Sequence, residues 1–200
     1  MHKLLIATNN IGKVEEIQDL LKDINVELVT PIDIDLNLNV KEDGSTYAEN
    51  AEKKAVAFAH ASRLISLADD SGLEVDALNG APGLYSNRYL SKSNATDADR
   101  RAFLLANLSN KPRPWNAAFH ATIAIAIPGN SSVQFATGEC NGEIIPEERG
   151  TGGFGYDPIF FIPEINHTMA ELSMAEKNRL SHRARAIMNA KAVLKEVFGL

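Results

Sequence analysis

The chain has 200 residues, 44% of them hydrophobic, and a net charge of −6 with no long basic run. That length buries the core of one domain. The acidic balance counts against a nucleic-acid partner, whose binding rests on many phosphate contacts, but leaves room for a small phosphorylated ligand. Cys140 is the sole cysteine, which rules out an internal disulfide or a zinc site built of cysteines.

Met1 to Ile6 enters an apolar run too short for a signal peptide or a membrane span. The chain therefore reads as a soluble, cytoplasmic protein with no membrane partner. Lys3 to Thr8 predicts a buried strand and Asn9 to Lys13 a polar turn, after which Val14, Ile17, Leu20 and Leu21 recur at helical spacing. Strand, polar loop and helix start together aim backbone N–H groups at an anion. Lys13 at that helix start opposes the macrodipole, so a negative ligand is expected beside it; an ordinary surface lysine is the alternative. Val26 to Thr30 predicts a second strand, and Pro31 to Val40 alternates apolar and polar residues as a partly extended segment.

Thr46 and Glu49 have capping-box spacing and open a helix to about Ala61. Glu49 and Lys53 lie four apart on it, the spacing of a surface ion pair. The apolar run Leu64 to Ala68 then meets Asp69-Asp70-Ser71-Gly72. Alternate side chains of a strand point to opposite faces, so one aspartate faces a cleft and the other a helix terminus or the backbone. Carboxylates at a strand end suit a hard cation or an activated water; an Asp turn closing a hairpin is the alternative.

Gly83 to Leu90 predicts a short helix, and Thr96 with Asp99 starts another that runs to Leu108. Ala117 to Pro128 and Val133 to Ala136 flank a Gly-Asn turn as a β-hairpin. Glu143 to Pro146 predicts a further strand end, and Gly150 to Pro158 is the strongest breaker cluster in the chain. Its glycines let a ligand approach the backbone closely. Phe154 there is either a stacking platform for a flat ring or a core residue. Ile159 to Ile162 predicts a buried strand, Ser173 and Glu176 a capping box, and Ser181 to Phe198 the final helix. Lys177, His182 and Arg183 form a late basic cluster whose donors suit an anion. The whole predicts a single α/β domain over residues 1–200: an elongated mixed sheet flanked by helices, with two lobes around a central cleft.

Six blocks carry a family resemblance: residues 7–13, 42–51, 68–78, 80–86, 152–158 and 176–183. In that order they resemble the noncanonical purine nucleoside triphosphate pyrophosphatases, the inosine/xanthosine triphosphatase (HAM1-like) family. The resemblance implies hydrolysis of ITP, dITP and XTP to the monophosphate and pyrophosphate with Mg²⁺, by a homodimer. It implies triphosphate binding by Thr8, Asn9, Asn10, Ile11, Gly12 and Lys13, with Asp70 as general base and metal ligand and Ser71 touching substrate. Phe154, Gly155, Tyr156, Asp157, Lys177, His182 and Arg183 would form the nucleotide site. Where the family has a carboxylate before the Gly44-x-Thr46 turn this chain offers Lys41-Glu42, and since Lys41 cannot ligate a cation while charged, the resemblance implies Glu42 as the second metal ligand, with Glu49 in reserve. Asn9 stands where the family commonly has glycine, which matters only if that backbone needs φ > 0. Tyr85, Tyr89 and Trp115 are candidate interface residues.

The chemistry agrees. Cutting between the α and β phosphates needs water aimed at the α-phosphorus and charge stabilisation on the departing pyrophosphate. Hypoxanthine and xanthine carry an oxygen at position 6, which donors such as Lys177, His182 and Arg183 would meet; adenine's amine would leave those donors unpaired. Two alternatives remain: a related pyrophosphatase shifted to pyrimidine or modified bases, and a noncatalytic nucleotide-binding module.

Overall fold

The alternation of strand residues decides which helix covers which face of the sheet, and so where the two aspartates point. The computed structural model describes residues 2–200. Its strands are β1 (Lys3–Ile6), β2 (Glu27–Val29), β3 (Ile65–Val75), β4 (Trp115–Ala126), β5 (Val133–Ile144), β6 (Phe160–Ile162) and β7 (His167–Thr168). They form one sheet in the order β2-β1-β3-β4-β5-β6-β7. β1 runs parallel to β2 and to β3, joined to them through α1 (Ile11–Leu21) and α2 (Tyr47–Ser62). β6 is antiparallel to β5 and to β7. The connection over 127–132 is too short for a parallel crossover, so β4 and β5 form the expected hairpin. The α/β class and mixed sheet are as the sequence predicts.

The chain divides into two compact units. The first runs through Asp70 and adds Ala121–Gly138 and His182–Leu200; the second is Ser71–His120 with Glu139–Ser181. In the first, Leu4, Ile6 and Leu67 pack with Ile17 and Leu21 of α1 and with Ile187 and Leu194 of α5 (His182–Phe198). Leu5, Ala7 and Ala68 pack instead with Ala51, Ala55 and Phe58 of α2. One face of the sheet thus belongs to α1 and α5, the other to α2. In the second unit Leu73, Val75, Trp115, Phe119 and Phe160 gather with Leu104 and Leu108 of α3 (Asp97–Leu108). The Phe119 and Phe160 rings lie 4.5 Å apart.

Several local expectations change. β3 runs straight through Asp69, Asp70, Ser71 and Gly72, so the pair is not a hairpin turn. Pro31 to Val40, expected to be partly extended, begins with a 3₁₀ turn at Ile32–Ile34, closed by the Asp33 carboxylate accepting from the Thr30 N–H at 2.7 Å. Leu36, Leu38 and Val40 still pack against the α2-side cluster, which explains their alternation. The second hairpin arm and the strand end near Glu143 are one strand, β5. Trp115 is 6% exposed and its indole N–H is taken by the Lys111 carbonyl at 3.1 Å, so it belongs to the core and not to an interface. Tyr85 is exposed, while Tyr89 packs against Phe103 with ring centroids 5.2 Å apart.

Gly138 sets how closely α5 approaches β5. A Cβ there would lie 2.2 Å from the His182 carbonyl oxygen and 2.4 Å from the Ala186 nitrogen. Gly138→Ala is expected to displace α5 and lower the unfolding free energy by about 1–3 kcal/mol. The check is a lower urea midpoint at unchanged slope.

Candidate active site

Asp69 and Asp70 are neighbours with different surroundings. Asp69 shares its face with Leu67 and points toward α1 and α5. Its Oδ2 lies 2.6 Å from Lys13 Nζ and 3.2 Å from Arg183 Nη2. Arg183, 1% exposed, also donates from Nη1 to Glu16 Oε2 at 2.5 Å. Two cations and two carboxylates thus neutralise each other out of water. Burial alone would raise the Asp69 pKa, but Arg183 and Lys13 outweigh it and hold the carboxyl far below the usual carboxylate range.

Asp70 shares its face with Ala68 and points toward α2. Its Oδ1 accepts from Lys54 Nζ at 3.0 Å and its Oδ2 from Asn50 Nδ2 at 3.3 Å. Lys54 Nζ also lies 2.9 Å from Glu42 Oε1 and donates to the Asp69 carbonyl at 2.8 Å. Burial raises the Asp70 pKa more than Lys54 and Lys13 lower it. The Lys54 pKa is raised, because Asp70 and Glu42 outweigh its burial. One ammonium therefore serves two carboxylates, which leaves negative charge where Glu42 and Asp70 converge.

The loop before α1 is held by its own side chains. Asn10 caps the helix, its Oδ1 accepting from the Lys13 N–H at 3.1 Å, and Thr8 Oγ1 accepts from the Asn10 N–H at 3.2 Å. Ile11 is 73% exposed on that first turn. Lys13 reaches back from it to Asp69 with 15% of its side chain exposed. Burial, aided by Lys54 and Arg183, lowers its pKa against the pull of Asp69. The anion that its position calls for is thus partly the protein's own. Asn9 is not among the residues with positive φ, so its side chain costs that backbone nothing.

In the second unit the glycine loop carries Phe154. Asp157 Oδ2 accepts from the Phe154 N–H at 2.9 Å and from Lys177 Nζ at 2.7 Å, and Lys177 Nζ sits 5.2 Å from the centre of the Phe154 ring. A Cβ on Gly153 would lie 2.0 Å from Asp157 Oδ2, so only glycine lets that carboxylate in. Tyr156 is buried and donates its hydroxyl to the Ser86 carbonyl at 2.9 Å.

A model of the Ham1 family matches residues 4–193. The chain belongs to the Ham1 family. It is 47% identical to a dITP/XTP pyrophosphatase of Geobacter sulfurreducens over 100% of this chain and 98% of that one. With a dITP/XTP pyrophosphatase of Desulforamulus reducens it shares 46% over 98% of this chain and 97% of that one. A solved HAM1 protein from Coxiella burnetii superposes with a TM-score of 0.88 at 40% identity, covering 98% of this chain and 100% of that one.

Within this Ham1 chain the expected residues regroup. The late basic cluster divides: Lys177 lies in α4 (Met174–Leu180) and pairs with Asp157, whereas His182 and Arg183 open α5 in the first unit. Arg183 is buried and donates to Glu16 and Asp69, so it also clamps those two carboxylates in the first unit. Tyr156 likewise anchors its loop through Ser86. Glu49 accepts from the Ser45 N–H and hydroxyl at 2.8 and 2.9 Å, and Lys53 pairs with Asp43 at 2.7 Å instead of with Glu49. Both line an outer groove of about 610 Å³ along α2. Glu42, at Lys54, is the better metal candidate. Asn50 is a polar candidate of α2 in the sequence, but Lys54 and Glu16 are not singled out there; the signal available was Lys54 four residues after Asn50 on the alanine-rich face of α2.

Asp69→Asn is expected to cost about 3–5 kcal/mol of stability, because it leaves Lys13 and Arg183 facing a neutral group in the interior. Asp70→Asn should cost clearly less, since the fold already disfavours the charged form of that carboxyl and Lys54 keeps Glu42 as a partner. Denaturant melts of the two variants at pH 7 compare them directly.

Proposed function

We propose that this chain hydrolyses noncanonical purine nucleoside triphosphates (ITP, dITP and XTP) to the monophosphate and pyrophosphate, and so clears them from the nucleotide pool. The observation that carries this is the Asp70 carboxylate held between Lys54 and Asn50, one residue from the Asp69–Lys13 pair, in a chain of the Ham1 family. Full-length relatives named dITP/XTP pyrophosphatases support the substrate class.

The residues suggest a division of labour. Thr8, Asn9, Asn10 and the first turn of α1 present backbone donors and a helix N-terminus to the phosphates. Lys13 and Lys54 supply the positive charge that the departing pyrophosphate needs. Asp70, when ionised, accepts a proton from the water directed at the α-phosphorus, and Ser71 follows it on the strand toward substrate. Phe154, with Lys177 set by Asp157, offers a flat face and a donor to a 6-oxo purine. His182 completes the expected set at the start of α5.

Mg²⁺ fits the donor set. Glu42 and Asp70 converge on Lys54 with one positive charge between two negative ones, and Mg²⁺ takes one or two carboxylates together with substrate phosphates. When bound it would neutralise phosphate charge. We read the protein further as a cytoplasmic homodimer, with Tyr85, 60% exposed under the Arg88 guanidinium at 5.0 Å, as an available interface residue. Twice the chain mass in sedimentation is the expected result.

The test is a panel of ITP, XTP and ATP with Mg²⁺, read as pyrophosphate. Rapid release from ITP and XTP and slow release from ATP is expected; equal rates, or orthophosphate as the first product, contradict the reading. Asp70→Asn should lower kcat by about 10²–10⁴-fold, and EDTA should abolish turnover until Mg²⁺ is restored.

A further inference from the structure

Two charged residues on α3 hold the loop next to Phe154, and nothing above gives them a task. The Gly155 N–H donates to Asp97 Oδ2 at 2.7 Å. Arg101 Nη1 donates to the Gly155 carbonyl at 2.9 Å. Arg101 also grips Glu148 with a two-pronged contact, Nε to Oε1 at 2.8 Å and Nη2 to Oε2 at 2.9 Å. Asp97 and Arg101 are four apart and share one face of the helix. Between them they take both backbone groups of one residue, more than fifty positions away in the chain.

The helix does not need either residue to begin. Thr96 and Asp99 already form a complete capping box, each side chain accepting the other's backbone N–H. Arg100 donates to the Asp97 carboxylate, which helps fix its orientation. Gly155 itself is held at φ +62, a backbone conformation that a free loop samples among many others. Fixing it sets the peptide immediately after Phe154, whose own N–H is tied to Asp157. The clamp from α3 and the Asp157–Lys177 pair therefore constrain the Phe154 backbone from its two sides.

We infer that Asp97 and Arg101 are positioning residues that hold the Phe154 loop in the conformation that receives the purine base. The inference rests on the reading of that loop as the base site. Burial opposes the ionisation of Asp97, but the Gly155 N–H and Arg100 outweigh it and lower its pKa, so the clamp is charged at neutral pH. Charge-assisted hydrogen bonds of this kind are about twice as strong as neutral ones.

Steady-state kinetics with ITP test it, together with hydrogen–deuterium exchange over residues 150–157 in the absence of nucleotide. Asp97→Ala and Arg101→Ala are expected to raise KM for ITP about tenfold and to change kcat by less than about twofold. The preference for ITP over ATP should shrink, and the loop should exchange faster. Asp97→Asn, which keeps an acceptor, should restore most of the KM. Unchanged KM with unchanged exchange overturns the inference, as does a fall in kcat at constant KM, the mark of a partly unfolded pool. Failure of the wild-type protein to release pyrophosphate from ITP would count against the functional reading instead, and loop exchange in the variants then decides by itself whether Asp97 and Arg101 hold the loop.

Discussion

Asp69 is the charge around which the first unit is assembled. Its Oδ2 receives both Lys13 and Arg183, and Glu16 takes the other arm of the guanidinium. Four ionised groups leave water together, which is tolerable because their charges balance. The contacts tie α1 and α5 to the same point on β3. With α1 fixed, the loop from Thr8 to Asn10 is fixed too, and the Lys13 ammonium is held in place before any ligand arrives. Preorganised charge of this kind needs no rearrangement during a reaction.

The next residue has the opposite character. Asp70 turns to the α2 face, where a single ammonium is divided between it and Glu42. Burial moves its pKa up while that of Asp69 is driven down. Two carboxylates whose surroundings separate their proton affinities are the usual mark of separate tasks. Asp69 stays ionised as structural charge. Asp70 keeps a proton affinity that a base requires, along with an oxygen pair oriented by Lys54 and Asn50. The separation follows from the two-residue period of a strand laid between helices on both faces.

Much of this is legible in the residues themselves. Strand alternation alone divides Asp69 from Asp70, and cap spacing locates the starts of α2, α3 and α4. What eludes a linear reading is partnership over long separations. Arg183 looks like a surface donor at a helix start, and only the folded chain brings it against Glu16 and Asp69, more than a hundred residues away. Lys177, six positions earlier, goes to Asp157 instead, so proximity along the chain is a poor guide to shared tasks. Lys54 is hidden in a helix whose alanines suggest only packing, although a lysine on a buried face needs a carboxylate. Pro31 to Val40 alternates because its apolar residues pack from an irregular backbone, a pattern that does not by itself say whether a strand forms.

The proposed roles of Asp70 and Lys13 require water to attack the α-phosphorus. Hydrolysis of ITP in ¹⁸O-labelled water, followed by mass spectrometry of both products, measures this directly. One ¹⁸O in the inosine monophosphate and none in the pyrophosphate is expected for attack at the α-phosphorus. Label in the pyrophosphate would mean that water strikes the β-phosphorus, and the assigned roles of Asp70 and Lys13 would then be wrong.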